Sequence, residues 1–87
     1  MQKSKATIIQ IILRNKIFQV MLKQIIGENA GIIWQILYDG TDFPFVKLQK
    51  LSGIPDRDFY MAIGWLAREN KIHFFNKSEE LHVCLVE

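Results

Sequence analysis

The stretch that most restricts the fold of this chain is FVKLQKLSGIPDRDFYMAIGWLARENKI, residues 45–72. Two apolar patterns of helical spacing are separated here by a short turn. Gly53 is free to adopt the left-handed backbone conformation that commonly ends a helix. Pro55 stands at the entrance of the next helix, where a missing N–H costs nothing. The pattern therefore predicts two helices, over about residues 46–51 and 56–70, joined by a tight turn.

The buried sides of these two helices follow from the spacing of their apolar residues. In the second helix, Asp56 and Asp58 complement the positive end of the helix dipole. Gly64 in its interior costs about 1 kcal/mol. It indicates either close approach by a DNA or protein partner or, the interpretation we favour, tight packing within the domain. The predicted core residues are Leu48, Leu51, Phe59, Ala62, Ile63 and Leu66.

An earlier helix is predicted before this pair. Ala30, Ile33, Trp34 and Leu37 repeat at helical spacing and predict a buried stripe that includes the tryptophan. Asp39-Gly40 ends this helix. Residues 43–45, Phe-Pro-Phe, then predict a short edge strand, because proline excludes a helix and is confined to sheet edges.

The end of the chain predicts a β-hairpin, because two alternating segments flank the turn sequence NKSEE. Alternation places His73, His82 and Cys84 on one face. Three such side chains invite zinc, but no CxxC or HxxxH spacing supports a site, so we expect no metal. The apolar residues predicted to point inward together are Ile72, Phe74, Leu81, Val83 and Leu85.

Residues 1–23 form an N-terminal arm that the sequence leaves ambiguous, and residues 24–87 form the predicted domain. β-Branched residues over positions 7–13 favour a strand, whereas Ile8, Ile12, Leu22 and Ile25 fit a helix. The arm also fits a flexible tail or an extension ahead of a natural start at Met21. Its apolar residues either fold back onto the domain or contact a second protein.

Charge is unevenly distributed along the chain. The net charge of +2 conceals an arm whose first twenty residues have four basic and no acidic residues, whereas residues 21–87 have seven basic and nine acidic ones. The basic isoelectric point therefore does not describe the domain. A single cysteine fits a reducing cytoplasm, and the apolar run at residues 6–13 is too short to span a bilayer. We therefore expect a cytoplasmic protein that does not enter membranes.

Enzymatic chemistry is not indicated. The sequence has no glycine-rich phosphate loop, no nucleophile placed near a base and no pair of carboxylates framed by apolar residues. We expect neither catalysis nor a cofactor.

The order helix, strand, helix, helix, strand, strand resembles a winged helix-turn-helix over residues 27–86, an α+β fold with a three-helix core and a C-terminal hairpin wing. IGENAGIIWQIL, residues 26–37, looks like the opening of a small stand-alone bacterial winged-helix family of unknown function. The resemblance implies a module that binds double-stranded DNA, such as a transcriptional regulator.

If so, the second helix of the helix-turn-helix contributes Arg57, Tyr60 and Arg68 to the groove. Lys47, Lys50 and Lys77 would contact phosphates. The acidic residues Asp56, Asp58, Glu79 and Glu80 oppose this interpretation. The alternative is a protein-interaction or homodimerisation module on the same scaffold, without DNA binding.

Overall fold

A computed structural model describes residues 5–87 of the chain. Three helices and three strands follow one another in the predicted order. Their bounds are α1 (Lys5–Asp39), β1 (Asp42–Pro44), α2 (Phe45–Ser52), α3 (Asp56–Arg68), β2 (Ile72–Lys77) and β3 (Glu80–Leu85). The α+β winged-helix fold predicted from the sequence is confirmed.

Helix α1 is one continuous helix of 35 residues. The strand considered for residues 7–13 is therefore wrong, because helical hydrogen bonding continues through this β-branched run. A continuous helix also excludes folding of the arm back onto its own domain. Residues 1–4 of the arm lie outside the described residues.

Among residues 7–39 of α1, the buried side chains are Ala30, Ile33 and Leu37, all in the second half of the helix. Trp34 was predicted to share this stripe, but it is 37% exposed. Its ring stacks on Tyr38 with 5.0 Å between centroids. Each residue turns the helix by about 100°, so Trp34 lies at the edge of the stripe that Ile33 and Leu37 define.

Helices α2 and α3 form the helix-turn-helix. Gly53 takes the left-handed conformation (φ 67°), and its N–H donates to the carbonyl groups of Gln49 and Lys50, which closes α2. The Gln49 side-chain amide donates to the Ile54 carbonyl and to the Asp56 carboxylate. Leu48 is buried, but Leu51, predicted to be buried with it, is 52% exposed. Ile54 in the turn is buried and extends the core.

The sheet is antiparallel with strand order β1-β3-β2. Ser78 and Glu79, at the hairpin turn, both have positive φ, as a two-residue type I′ turn requires. Ile72 and Val83 are buried as predicted, whereas Phe74 and Leu81 are 44% and 42% exposed. The prediction that these two side chains are buried is therefore wrong; Leu81 instead lines an open groove beside Phe45 and Val46 of α2.

A single cluster of buried side chains joins α1, α2, α3 and the sheet. Phe59 is fully buried, together with Ile33, Leu48 and Val83, which come from the other helices and from β3. The core therefore holds α3 in place and leaves its opposite side exposed. The buried residues of this cluster are Ala30, Ile33, Leu37, Leu48, Ile54, Phe59, Ala62, Ile63, Leu66, Ile72 and Val83.

Candidate nucleic-acid interface

The exposed side of α3 lies opposite its buried stripe. Arg57, Tyr60 and Arg68 are all exposed there, and Met61 is half-buried beside them. Three of the six residues proposed from the sequence thus share one helical face.

Gly64 lies on this exposed side. A Cβ placed at Gly64 would meet nothing within 4 Å. The favoured interpretation of tight packing within the domain is therefore wrong. The backbone of α3 at Gly64 is open to close approach from outside.

The two aspartates of the first turn both have partners. Asp58 accepts a hydrogen bond from Arg57, with 3.1 Å between Arg57 Nε and the carboxylate oxygen. Asp56 accepts one from Gln49 of α2. The Asp56 contact links the two helices of the helix-turn-helix across their turn, so this aspartate has a structural explanation independent of any ligand. Asp58 instead offsets the charge of Arg57, whose side chain is 74% exposed.

Aromatic rings connect α2 to the exposed side of α3. Phe45 packs edge-on against buried Phe59, with 5.2 Å between centroids. Its ring also lies parallel to that of Tyr60, at 6.1 Å and 4°. Tyr60 is 53% exposed, so the contact with Phe45 orients a phenol ring that lies at the surface. Phe45 is not among the six DNA-contacting residues proposed from the sequence, where its only signal is an aromatic residue directly after Pro44.

Lys47 and Lys50 are exposed on α2 and line an open groove of about 610 Å³ between α2 and the wing. Pro44, Phe45, Val46 and Leu81 supply its apolar part, and Glu80 supplies a carboxylate at the wing side. The structure brings the two lysines together on one surface, beside exposed apolar groups that the sequence interpretation did not place there.

Lys77 ends β2 at the tip of the wing. Its Nζ lies 3.8 Å from the Asp42 carboxylate, although the lysine side chain is still 60% exposed. His82 Nδ1 lies 2.6 Å from the same carboxylate oxygen. The hydrogen bond with His82, and then the charges of Lys77 and His82, hold the pKa of Asp42 below its ordinary value.

The predicted grouping of His73, His82 and Cys84 on one face of the hairpin agrees with the strand register. His82, however, is buried, with Phe75 packed 5.6 Å from its ring and Asp42 bonded to it. Among residues 5–87 no group of three or more His, Cys, Asp or Glu side chains is placed to hold a metal ion.

Charge on this surface is close to balanced. Five of the proposed residues are basic, and Asp56, Asp58, Glu79 and Glu80 lie on the same elements or at the wing turn. Pairing of Arg57 with Asp58 and of Lys77 with Asp42 reduces the positive field further. The least opposed cations are Lys47, Lys50 and Arg68, for which no ion pair within the described chain is found.

A three-helix core, a helix-turn-helix closed by a left-handed glycine and a C-terminal hairpin define a winged helix-turn-helix protein. Residues 21–85 match the family model described as winged helix-turn-helix domain (DUF2582). The chain belongs to this family, which confirms the resemblance inferred from residues 26–37 and 45–72.

A solved structure supports the same assignment. The chain is similar to protein BT2368 from Bacteroides thetaiotaomicron, solved by solution NMR, with 30% sequence identity and a TM-score of 0.64. The similarity covers 72% of this chain and 77% of that one. No curated protein matches the sequence. Within residues 5–87, no helix is long and apolar enough to cross a membrane.

Proposed function

We propose that this protein is a DNA-binding winged-helix module of the cytoplasm, acting in transcription regulation. The observation that carries the proposal is the exposed side of α3, where Arg57, Tyr60 and Arg68 surround the open backbone at Gly64. In DNA-binding helix-turn-helix proteins the second helix enters the major groove. A helix face with two arginines, a tyrosine and no side chain at its centre is suited to that approach.

Contacts to the phosphate backbone come from the elements on either side of α3. Lys47 and Lys50 of α2 and Lys77 of the wing are exposed. Together with the two arginines they provide up to about five phosphate contacts, which supports salt-sensitive binding in the micromolar range. The acidic residues of α3 and the wing reduce this affinity, so we expect weak non-specific binding.

Binding of fluorescein-labelled random duplex DNA, measured by anisotropy between about 50 and 200 mM NaCl, tests the proposal. The expected result is an affinity that falls steeply with salt, and that is lost for the most part in the double variant Arg57→Ala, Arg68→Ala. The matched control is Lys23→Ala with Lys71→Ala, which removes the same charge from exposed positions outside the proposed face. Absence of measurable binding at about 50 mM NaCl rejects the proposal. Equal losses in both double variants reject the assignment to α3.

The exposed apolar surface of α1 favours the alternative class, an interaction module. That surface is compatible with DNA binding, because most helix-turn-helix proteins that bind two half-sites do so as dimers.

A further inference from the structure

We propose that α1 is a dimerisation helix that packs antiparallel, along its full length, against α1 of a second copy of this chain. The molecule is 61 Å long but only 23 × 20 Å across. Of residues 7–39 in α1, those buried in the core all lie within the last ten positions, from Ala30 onward. Most of the described length of the helix therefore contributes no side chain to the core.

The first half of α1 exposes apolar side chains on all sides. Ile8, Leu13 and Phe18 are about half exposed, and residues five positions apart lie about 140° apart around a helix. These three side chains thus point in three different directions. A helix that is apolar all round is normally enclosed by other protein elements, and a soluble monomer rarely exposes so much continuous apolar surface. The exposed apolar side chains of this half are Ile8, Ile9, Ile11, Ile12, Leu13, Ile17, Phe18, Val20 and Met21.

The second half of α1 offers a complementary surface. Gly27 and Gly31 lie one turn apart on its exposed side, and a Cβ at either would meet nothing within 4 Å. With Trp34 and with Trp65 of α3, they line an open groove of about 260 Å³ between α1 and α3. Adjacent glycines allow another helix to approach closely. The groove has room for large side chains, and none from residues 7–87 fills it.

Full antiparallel overlap brings these two surfaces together. The helix begins at Lys5 and ends at Asp39, so in that register Leu13 is level with the partner's Gly31, and Ile17 with the partner's Gly27. Large aliphatic residues of one copy thus face the glycines of the other. A two-fold axis relates the two copies, so every contact occurs twice. The aliphatic side chains of each copy therefore fill the glycine-lined groove of the other.

Charge selects the antiparallel orientation. Arg14 and Lys16 lie in the first half of α1. The first acidic residue of this helix is Glu28, in its second half. In the antiparallel register Lys16 is level with the partner's Glu28, an attractive pair. A parallel pair would instead place Arg14 and Lys16 level with their own copies, and like charges at neighbouring positions are destabilising.

Sedimentation equilibrium of the full chain tests the dimer. The expected mass is twice the 10.2 kDa of one chain. The double variant Leu13→Glu, Ile17→Glu should be a monomer, and its far-UV circular dichroism should still show a helical, folded domain. Val46→Glu with Leu51→Glu is the matched control, since both residues are exposed apolar positions on α2, and it should remain a dimer. A wild-type protein that is monomeric at roughly 100 µM overturns the proposal. Binding of that monomer to lipid vesicles would not rescue it.

Cysteine cross-linking tests the orientation without requiring a destabilised variant. In a Cys84→Ala background, Ile17→Cys with Gly27→Cys should form an intermolecular disulfide under mild oxidation. Ile17→Cys alone should not form one. In the antiparallel register the two copies of residue 17 are offset by ten positions, or about 15 Å along the helix axis, which is beyond disulfide reach. Efficient cross-linking of the single variant would show a parallel pair and reject the proposal.

Discussion

His82 of β3 and Asp42 of β1 are held together across the sheet, with 2.6 Å between His82 Nδ1 and Asp42 Oδ2. With its proton on Nδ1, the imidazole donates to the carboxylate, and the Lys77 ammonium lies 3.8 Å from the same oxygen. His82 is buried, so this contact gives its polar ring a partner. It joins the residues before α2 to the wing, and thereby orients the hairpin relative to the helix-turn-helix.

The Asp42 contact predicts how stability depends on pH. The pKa of Asp42 is lowered in the folded protein, chiefly by the hydrogen bond with His82. Its contribution to folding is therefore present above the unfolded pKa, about 4, and is lost as the pH falls through the lower folded value. Asp42→Asn should lower the urea midpoint of unfolding at pH 7. It should also make that midpoint fall less steeply as the pH drops below about 4. Urea titrations over that range measure both, with Glu87→Gln as an exposed carboxylate control. An unchanged acid profile in Asp42→Asn contradicts the prediction.

The Arg57–Asp58 pair predicts a gain in DNA affinity on removal of the carboxylate charge. Asp58→Asn frees the Arg57 guanidinium and removes a negative charge from the exposed end of α3. If the proposed function is correct, affinity for random duplex at low salt should rise about threefold to tenfold. Glu87→Gln changes the net charge equally, away from α3, and should have a smaller effect. Equal or weaker binding by Asp58→Asn argues against DNA contact at this turn.

Two glycine substitutions should have opposite effects on stability. Gly64→Ala fits without contact and replaces glycine in a helix interior, so it should stabilise the fold by about 1 kcal/mol, or roughly 4–8 °C in melting temperature. Gly40→Ala places a Cβ 2.6 Å from the Phe43 ring, and should cost about 1–3 kcal/mol through overpacking. Thermal unfolding by circular dichroism measures both. Destabilisation by Gly64→Ala would indicate that another chain packs against this position.

The two leucines of α2 should differ strongly in their effect on stability. Leu48 is fully buried in the shared core, whereas Leu51 is 52% exposed. Leu48→Ala should cost about 2–5 kcal/mol, and Leu51→Ala no more than about 0.5 kcal/mol. Urea unfolding of the two variants gives the comparison directly. A large cost at Leu51 would show that this residue is covered by a partner in solution.

Local features of the sequence determined the order and type of the elements from α1 to the wing. Gly53 and Pro55 define the turn of the helix-turn-helix. Glycine readily adopts a left-handed φ, and proline is favoured where a helix begins because its missing N–H costs nothing there. Alternation of apolar residues and the turn sequence NKSEE likewise identified the hairpin. These signals depend on neighbours along the chain, which a sequence shows.

Tertiary structure decided which side chains are covered. Trp34, Leu51, Phe74 and Leu81 all have apolar side chains at plausible positions, but each is more than a third exposed, because burial depends on how closely another element packs against the residue. His82 shows the converse, since its burial depends on Asp42, forty positions away. The N-terminal helix was ambiguous for the same reason: a segment that is apolar on every side carries no periodicity from which a helix and its covered face can be distinguished.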